Sequence, residues 1–294
     1  YNKTKNPYPD PRMEELFIEN WDHRPYEGYM VIDFYRDVKG DTAQALEAAK
    51  AYLDLYNNDT FDKKGTLHDM SPAEAFVWGG EEAMRLGHTE LAKAFVTAAE
   101  ELSDAASIQG KVALISSRIA HAEGKDFEKY LAIAIARGQL TEVQSLLSEM
   151  PARMDMAELF DMSTRYCEKA PDYSFVDSAG DTIRPGNGEV QLLHFWGPGC
   201  KACLDEKPAL EEWAKSVKGG RLFGVTNWTE DYVTENDLEF KGWENIYAKD
   251  LFGAFGIMGI PQTHIVDGKG YVRLARFCGG GNYAEEELII SLLA

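Results

Sequence analysis

The chain has 294 residues, a formal net charge of −19 at pH 7, and 45% hydrophobic and 27% charged residues. That length accommodates two domains of ordinary size, each with its own core, and the composition is that of a soluble globular chain. The acidic balance argues against nucleic acid or an anionic membrane surface as partner, since both are bound through basic patches, and no apolar run approaches a membrane span.

The first residue is Tyr1, and the opening to Pro11 is polar and proline-rich. Removal of a preceding segment, either by signal processing or by deliberate truncation, is the expectation here. Residues 1–40 mix aromatics, prolines and charges without a clear period and read as an irregular leader. From Asp41 the pattern turns helical. Asp41 is a capping residue, and Ala45, Leu46, Ala49, Leu53 and Tyr56 fall at helical spacings. Ser71-Pro72-Ala73-Glu74 reads as a second helix start, with a capping residue, Pro at the first helical position and Glu three on.

Helix-sized units continue to Glu168, punctuated by Gly87, Gly110, Gly124 and Gly138. The stretches after Gly87 and Gly124 open alike, at a separation close to the roughly 34-residue period of tetratricopeptide helical pairs. Residues 41–168 are therefore read as an all-α domain, either a degenerate TPR-like array or a bundle without true repeats.

Pro171 marks the next boundary, and residues 169–294 read as an α/β domain. Pro171 to Asp181 gives a strand, a turn and a returning strand. Val190 to Trp196 and Leu222 to Asn227 are buried strands separated by a helix, a unit that requires parallel strands and a right-handed crossover. Helices are expected over Asp231–Phe240 and Asp250–Phe255. Thr263–Val266 and Tyr271–Phe277 form a hairpin about Asp267-Gly268-Lys269-Gly270, and Glu285–Leu293 closes the chain as a helix.

Of the four cysteines, Cys167, Cys200, Cys203 and Cys278, two form the motif Cys200-Lys201-Ala202-Cys203 where the first buried strand runs into its helix. Four cysteines are too few for a disulfide-stapled scaffold. Thiols three apart at a helix start lie on neighbouring corners of one turn and can close into a disulfide. The first sulfur faces the free N–H groups of that turn, which favour thiolate, the nucleophile of disulfide exchange. Lys201 adds a positive charge beside it.

This arrangement resembles thioredoxin-fold thiol–disulfide oxidoreductases of the TlpA/ResA type, which are bacterial and extracytoplasmic. The resemblance covers roughly residues 170–294. It rests on Pro171-Asp172-Tyr173-Ser174-Phe175, Phe195-Trp196, the C-x-x-C, Glu206-Lys207-Pro208, and Gly256-Ile257-Met258-Gly259-Ile260-Pro261-Gln262-Thr263. It implies a mixed central sheet flanked by helices, with Cys200 as the attacking thiol, Cys203 as the buried resolving thiol, and Pro261 as a cis-proline facing the disulfide. Ile260 and Trp196 would contact the client. Glu206, one helical turn past Cys203, would shuttle its proton, or is a helix-surface acid. His194, where thioredoxins have a buried acid, is a second proton acceptor or a core histidine. Gly199 replaces the tryptophan that thioredoxins place before the first cysteine, which speaks against a generalist role.

The implied partners are protein clients with disulfides or thiols and a membrane thiol–disulfide electron carrier. The implied location is the periplasm or cell surface, with cytoplasm as the alternative. No cofactor is expected beyond the cysteine pair. The expected activity is disulfide reduction; oxidase or isomerase action, or a helical binding protein with an adaptor thioredoxin domain, are the alternatives. A zinc site on Cys200, Cys203 and His194 lacks a fourth ligand. Cys167 and Cys278 read as free thiols or a structural pair.

Overall fold

The structure is a computed structural model that describes residues 28–58, 70–277 and 283–293. The rest of the expected leader and Cys278 lie outside the described residues. The chain divides into two compact units between Ala134 and Ile135.

The first unit is helical. Helix α1 (Gly28–Asp33) runs into a π-helical turn, Phe34–Lys39, so the last part of the expected irregular leader is helical instead. Burial of Val31, Ile32 and Phe34 on one side explains the difference. Helices α2 (Thr42–Asn57), α3 (Met70–Arg85), α4 (Thr89–Leu102) and α5 (Ala106–Ala122) follow, then α6 (Glu128–Ala136), within which the division falls. Asp41 caps α2 as expected, its side chain accepting the Gln44 N–H at 3.0 Å. Helix α3 begins at Met70, one residue before the expected cap Ser71.

Tyr52, Phe76 and Phe95 form a continuous aromatic spine across α2, α3 and α4, with ring centroids 5.1 and 6.0 Å apart. Gly87 and Gly124 close their helices in the left-handed conformation, at φ 78° and 67°. In both turns the glycine N–H and the next N–H donate back to carbonyls of the last helical turn. The likeness of the two turns is thus real. Gly110 is different: it lies buried inside α5 and ends nothing.

In the second unit, α7 (Leu140–Glu149) and α8 (Met156–Ser163) precede a short ribbon of β1 (Phe175–Val176) and β2 (Thr182–Ile183). The main sheet contains β3 (Gln191–Trp196), β4 (Arg221–Thr226), β5 (Glu244–Tyr247), β6 (Gln262–Val266) and β7 (Val272–Phe277), in spatial order β5-β4-β3-β6-β7. β3, β4 and β5 are parallel, whereas β6 runs antiparallel to both of its neighbours, β3 and β7. Helices α9 (Lys201–Trp213), α10 (Glu230–Glu235), α11 (Lys249–Ala254) and α12 (Ala284–Leu293) complete the unit. This is the thioredoxin-like α/β fold, and the parallel βαβ unit and the hairpin stand where the sequence put them.

The division falls earlier than the expected boundary at 168/169. Helix α8 is held to the sheet by Arg273 of β7, whose guanidinium donates to Phe160 O at 2.7 Å, Ser163 Oγ at 2.9 Å and Thr164 Oγ1 at 2.9 Å. The expected helix over Asp231–Phe240 stops at Glu235. Asp237 takes φ 51°, and Phe240 N–H donates to Asn245 Oδ1 at 2.9 Å, turning the chain into β5, a strand the sequence did not reveal.

Candidate redox site

Every residue of β3 is buried, and its side chains alternate between the two faces of the sheet. Phe195 faces a core of Phe175, Phe223, Phe252 and Phe255. His194 and Trp196 face the other way, and both meet Phe240 edge-on. β3 then delivers the chain to Cys200, which caps the 13-residue helix α9.

Cys200 and Cys203 are joined as a disulfide with Cα atoms 5.3 Å apart. The Cys203 N–H donates to Cys200 Sγ at 3.1 Å, placing the first sulfur on the open end of the helix. Cys200 is partly exposed and Cys203 is fully buried. From the opposite side the carbonyl oxygen of Ile260 lies 3.7 Å from Cys200 Sγ, and the Ile260–Pro261 peptide is cis. Residues sixty apart in sequence thus meet at one sulfur.

One turn further along α9 lies a buried polar cluster. Glu206, on the inner face of α9, is 6% exposed. Its Oε1 accepts the Tyr283 hydroxyl at 3.0 Å, while Oε2 is buried without a partner among the described residues. Burial pushes its carboxyl above the usual range; the Tyr283 hydrogen bond pulls the other way, Glu286 pushes up and Arg276 pulls down. Arg276 of β7 is bound in turn by Glu286 and Glu285 of α12. Tyr283 also stacks on Trp213, whose Nε1–H donates to Glu287 at 2.8 Å.

His194, Thr263 and Arg276 sit opposite one another across β3, β6 and β7. His194 Nδ1 and Thr263 Oγ1 are 3.0 Å apart, and His194 Nε2 has no partner among the described residues. Full burial lowers the His194 pKa from 6.5 to about 3. A ring held that low is neutral near pH 7, and its surroundings are those of a buried histidine with one polar neighbour.

Trp196, expected to contact the client, is instead fully buried. The exposed tryptophan near the disulfide is Trp228, after β4, which the sequence reading passed over. Lys201 is exposed and paired with Asp205 at 2.5 Å, so its charge is partly neutralised. Cys167 is a half-buried free thiol. Among the described residues no group of three or more His, Cys, Asp and Glu is placed to hold a metal ion. Tyr283, Glu286 and Arg276 were not foreseen; Tyr283 is 77 positions from its partner, and nothing in the sequence joins them.

No protein-family model matches the chain. Among curated proteins it is 25% identical over 117 residues to the thioredoxin-like protein YneN of Bacillus subtilis, covering 36% of this chain and 68% of that protein. It is 33% identical over 105 residues to the thiol:disulfide interchange protein DsbE of Haemophilus influenzae, covering 32% and 54%. To the thiol-disulfide oxidoreductase ResA of Bacillus anthracis it is 26% identical over 113 residues, covering 36% and 65%. The chain therefore spans between 54% and 68% of the length of these relatives. Among solved structures, the thioredoxin domain of a thiol-disulfide oxidoreductase from Bacteroides vulgatus aligns with TM-score 0.35 at 23% identity, covering 42% of this chain and 96% of that one. A thio-disulfide isomerase from Thermus thermophilus aligns with TM-score 0.36 at 25% identity, covering 43% and 94%. Over 32–36% of its length, the chain is similar to these thioredoxin-like thiol–disulfide oxidoreductases.

Proposed function

We propose that the chain is a thiol–disulfide oxidoreductase that reduces disulfides in protein clients. The observation that carries this reading is the Cys200–Cys203 disulfide at the start of α9, with one sulfur accessible and the Ile260 carbonyl 3.7 Å from it. In the reduced protein, Cys200 attacks a client disulfide as thiolate. One client sulfur leaves as thiolate and takes a proton, and the other stays bound to Cys200. Cys203 then loses its proton, with Glu206 as acceptor, and attacks Cys200. The intramolecular disulfide reforms and the second client thiol leaves, so two electrons pass from the dithiol to the client.

Pro261 brings the Ile260 backbone to the site, where it can pair with an extended client strand. The cysteine pair is the only redox group the reaction requires. A membrane thiol–disulfide carrier would return the dithiol, which fits an extracytoplasmic location, and the helical unit would dock clients or the carrier. The sequence resemblance and the names of the relatives support the redox assignment; the docking role rests on the presence of the additional helical unit alone.

Equilibration of the full chain in glutathione and dithiothreitol buffers tests the reading. A two-electron couple near about −270 mV, as in thioredoxin, is the expected result. A value near about −120 mV would make the protein a disulfide donor or isomerase instead, and no couple at all would end the redox reading.

A further inference from the structure

We infer that Trp228, Tyr232 and Met258, beside Ile260, form the docking surface for an extended client segment that carries Lys or Arg next to its cysteine. This rests on the oxidoreductase reading above.

The Ile260 carbonyl is 3.7 Å from Cys200 Sγ. Gly197, three residues before Cys200, is flanked by Ile260 and Trp228: a Cβ there would lie 3.0 Å from Ile260 Cδ1 and 3.7 Å from Trp228 Nε1. Any side chain at that position would press on Ile260, so glycine keeps the two apolar residues on either side of the backbone that leads to the cysteine. The Trp228 ring packs on Tyr232 at 4.6 Å between centroids. Trp228 is 42% exposed, Tyr232 41% and Met258 96%.

Aromatic and methionine side chains are the types that anchor interfaces, and several of them exposed beside a reactive group mark a contact face. Isolated exposed apolar residues carry no such meaning; here Trp228 and Ile260 both lie close to Gly197, Trp228 packs on Tyr232, and the Ile260 carbonyl reaches Cys200.

Charge selects the occupant. Trp228 and Tyr232 flank the start of α10, whose first turn carries Glu230 and Asp231, with Glu235 at its end and Asp237 beyond. All four are exposed, and residues 227–240 contain no Lys or Arg. Lys201, the cation beside Cys200, is held by Asp205. The face is therefore apolar and anionic together, on a chain of net charge −19. A basic segment gains from both properties, through attraction to the acids and through cation–π contact with the paired rings. An acidic segment is repelled.

The test uses the reduced full chain and two synthetic disulfide peptides identical except for Lys or Glu at the positions flanking the cysteines, with oxidised glutathione as a small substrate. The Lys peptide is expected to react roughly tenfold faster than the Glu peptide at low salt, with the ratio shrinking toward one at high salt. Trp228→Ala is expected to slow the Lys peptide about tenfold more than it slows glutathione, and Tyr232→Ala to act in the same direction. The double variant Glu230→Lys, Asp231→Lys is expected to reverse the peptide preference. Equal rates for the two peptides, or an equal effect of Trp228→Ala on peptide and glutathione, would overturn the inference while leaving the redox reading intact. Failure of Cys200 and Cys203 to exchange with glutathione at all would instead overturn the redox reading, and the inference with it.

Discussion

The Tyr283 hydroxyl donates a 3.0 Å hydrogen bond to Glu206 Oε1, linking the start of the last helix to the acid one turn beyond Cys203. The other oxygen of Glu206 is buried and unpartnered, so this is its one hydrogen bond among the described residues. Tyr283→Phe leaves both oxygens unsatisfied. A loss of about 1–3 kcal/mol in unfolding free energy is expected. The missing donor also raises the carboxyl further, so the midpoint of the exchange rate against pH should move to higher pH. Urea unfolding and stopped-flow rates of the variant against the parent check both, and an unmoved rate profile would show that Glu206 takes no part in proton transfer.

The Glu206 carboxyl is itself a pH-dependent liability. Its folded-state pKa lies above the unfolded value of 4.5. Below that value both states are protonated, and as pH rises above it the unfolded chain ionises first, so stability is lost. Glu206→Gln removes the effect. The Tm difference, variant minus parent, should grow from pH 4 to pH 8; a difference that shrinks over that range would contradict the buried, protonation-favouring site.

His194 works in the opposite direction. The unfolded histidine takes a proton below about pH 6.5, whereas the buried ring resists it until about 3. Stability attributable to this residue is present above pH 6.5 and falls as pH drops toward 3, by about 1.4 kcal/mol per pH unit. In His194→Gln that slope should be smaller. Denaturant melts at pH 7, 5 and 4 measure it, and equal acid sensitivity in parent and variant would show that the ring is solvated.

Arg273 tests why α8 belongs with the sheet. Its guanidinium pairs with Asp267 at 3.3 Å, both groups being buried, and lies 3.8 Å from the centre of the Phe160 ring. Removing the cation leaves Asp267 charged and buried without its ion-pair partner. Arg273→Met is expected to lower unfolding free energy by about 3–5 kcal/mol, read by thermal or urea denaturation. A change below about 1 kcal/mol would mean that the other contacts of α8 suffice.

Replacement of Cys203 by alanine should leave Cys200 able to attack but unable to be released, so the client accumulates as a mixed disulfide. Non-reducing electrophoresis after mixing with a disulfide-bonded client shows a thiol-sensitive adduct in Cys203→Ala and none in Cys200→Ala. Adducts in neither variant would refute the assigned roles.

What the sequence determined by itself is what depends on neighbours along the chain. The βαβ unit, the hairpin at Asp267–Gly270, the cap at Asp41 and the placement of Cys200-Lys201-Ala202-Cys203 at a helix start all follow from local pattern, because alternation, capping and helical spacing are properties of a few consecutive residues. The tertiary structure decided whatever depends on which side of a strand or helix meets a distant element. It buried Trp196 and exposed Trp228, held His194 neutral against Thr263, and brought Tyr283 to Glu206 and Arg273 to α8. Those outcomes come from desolvation and from partners brought together across the sheet, and neither is expressed in the spacing of residues along the chain.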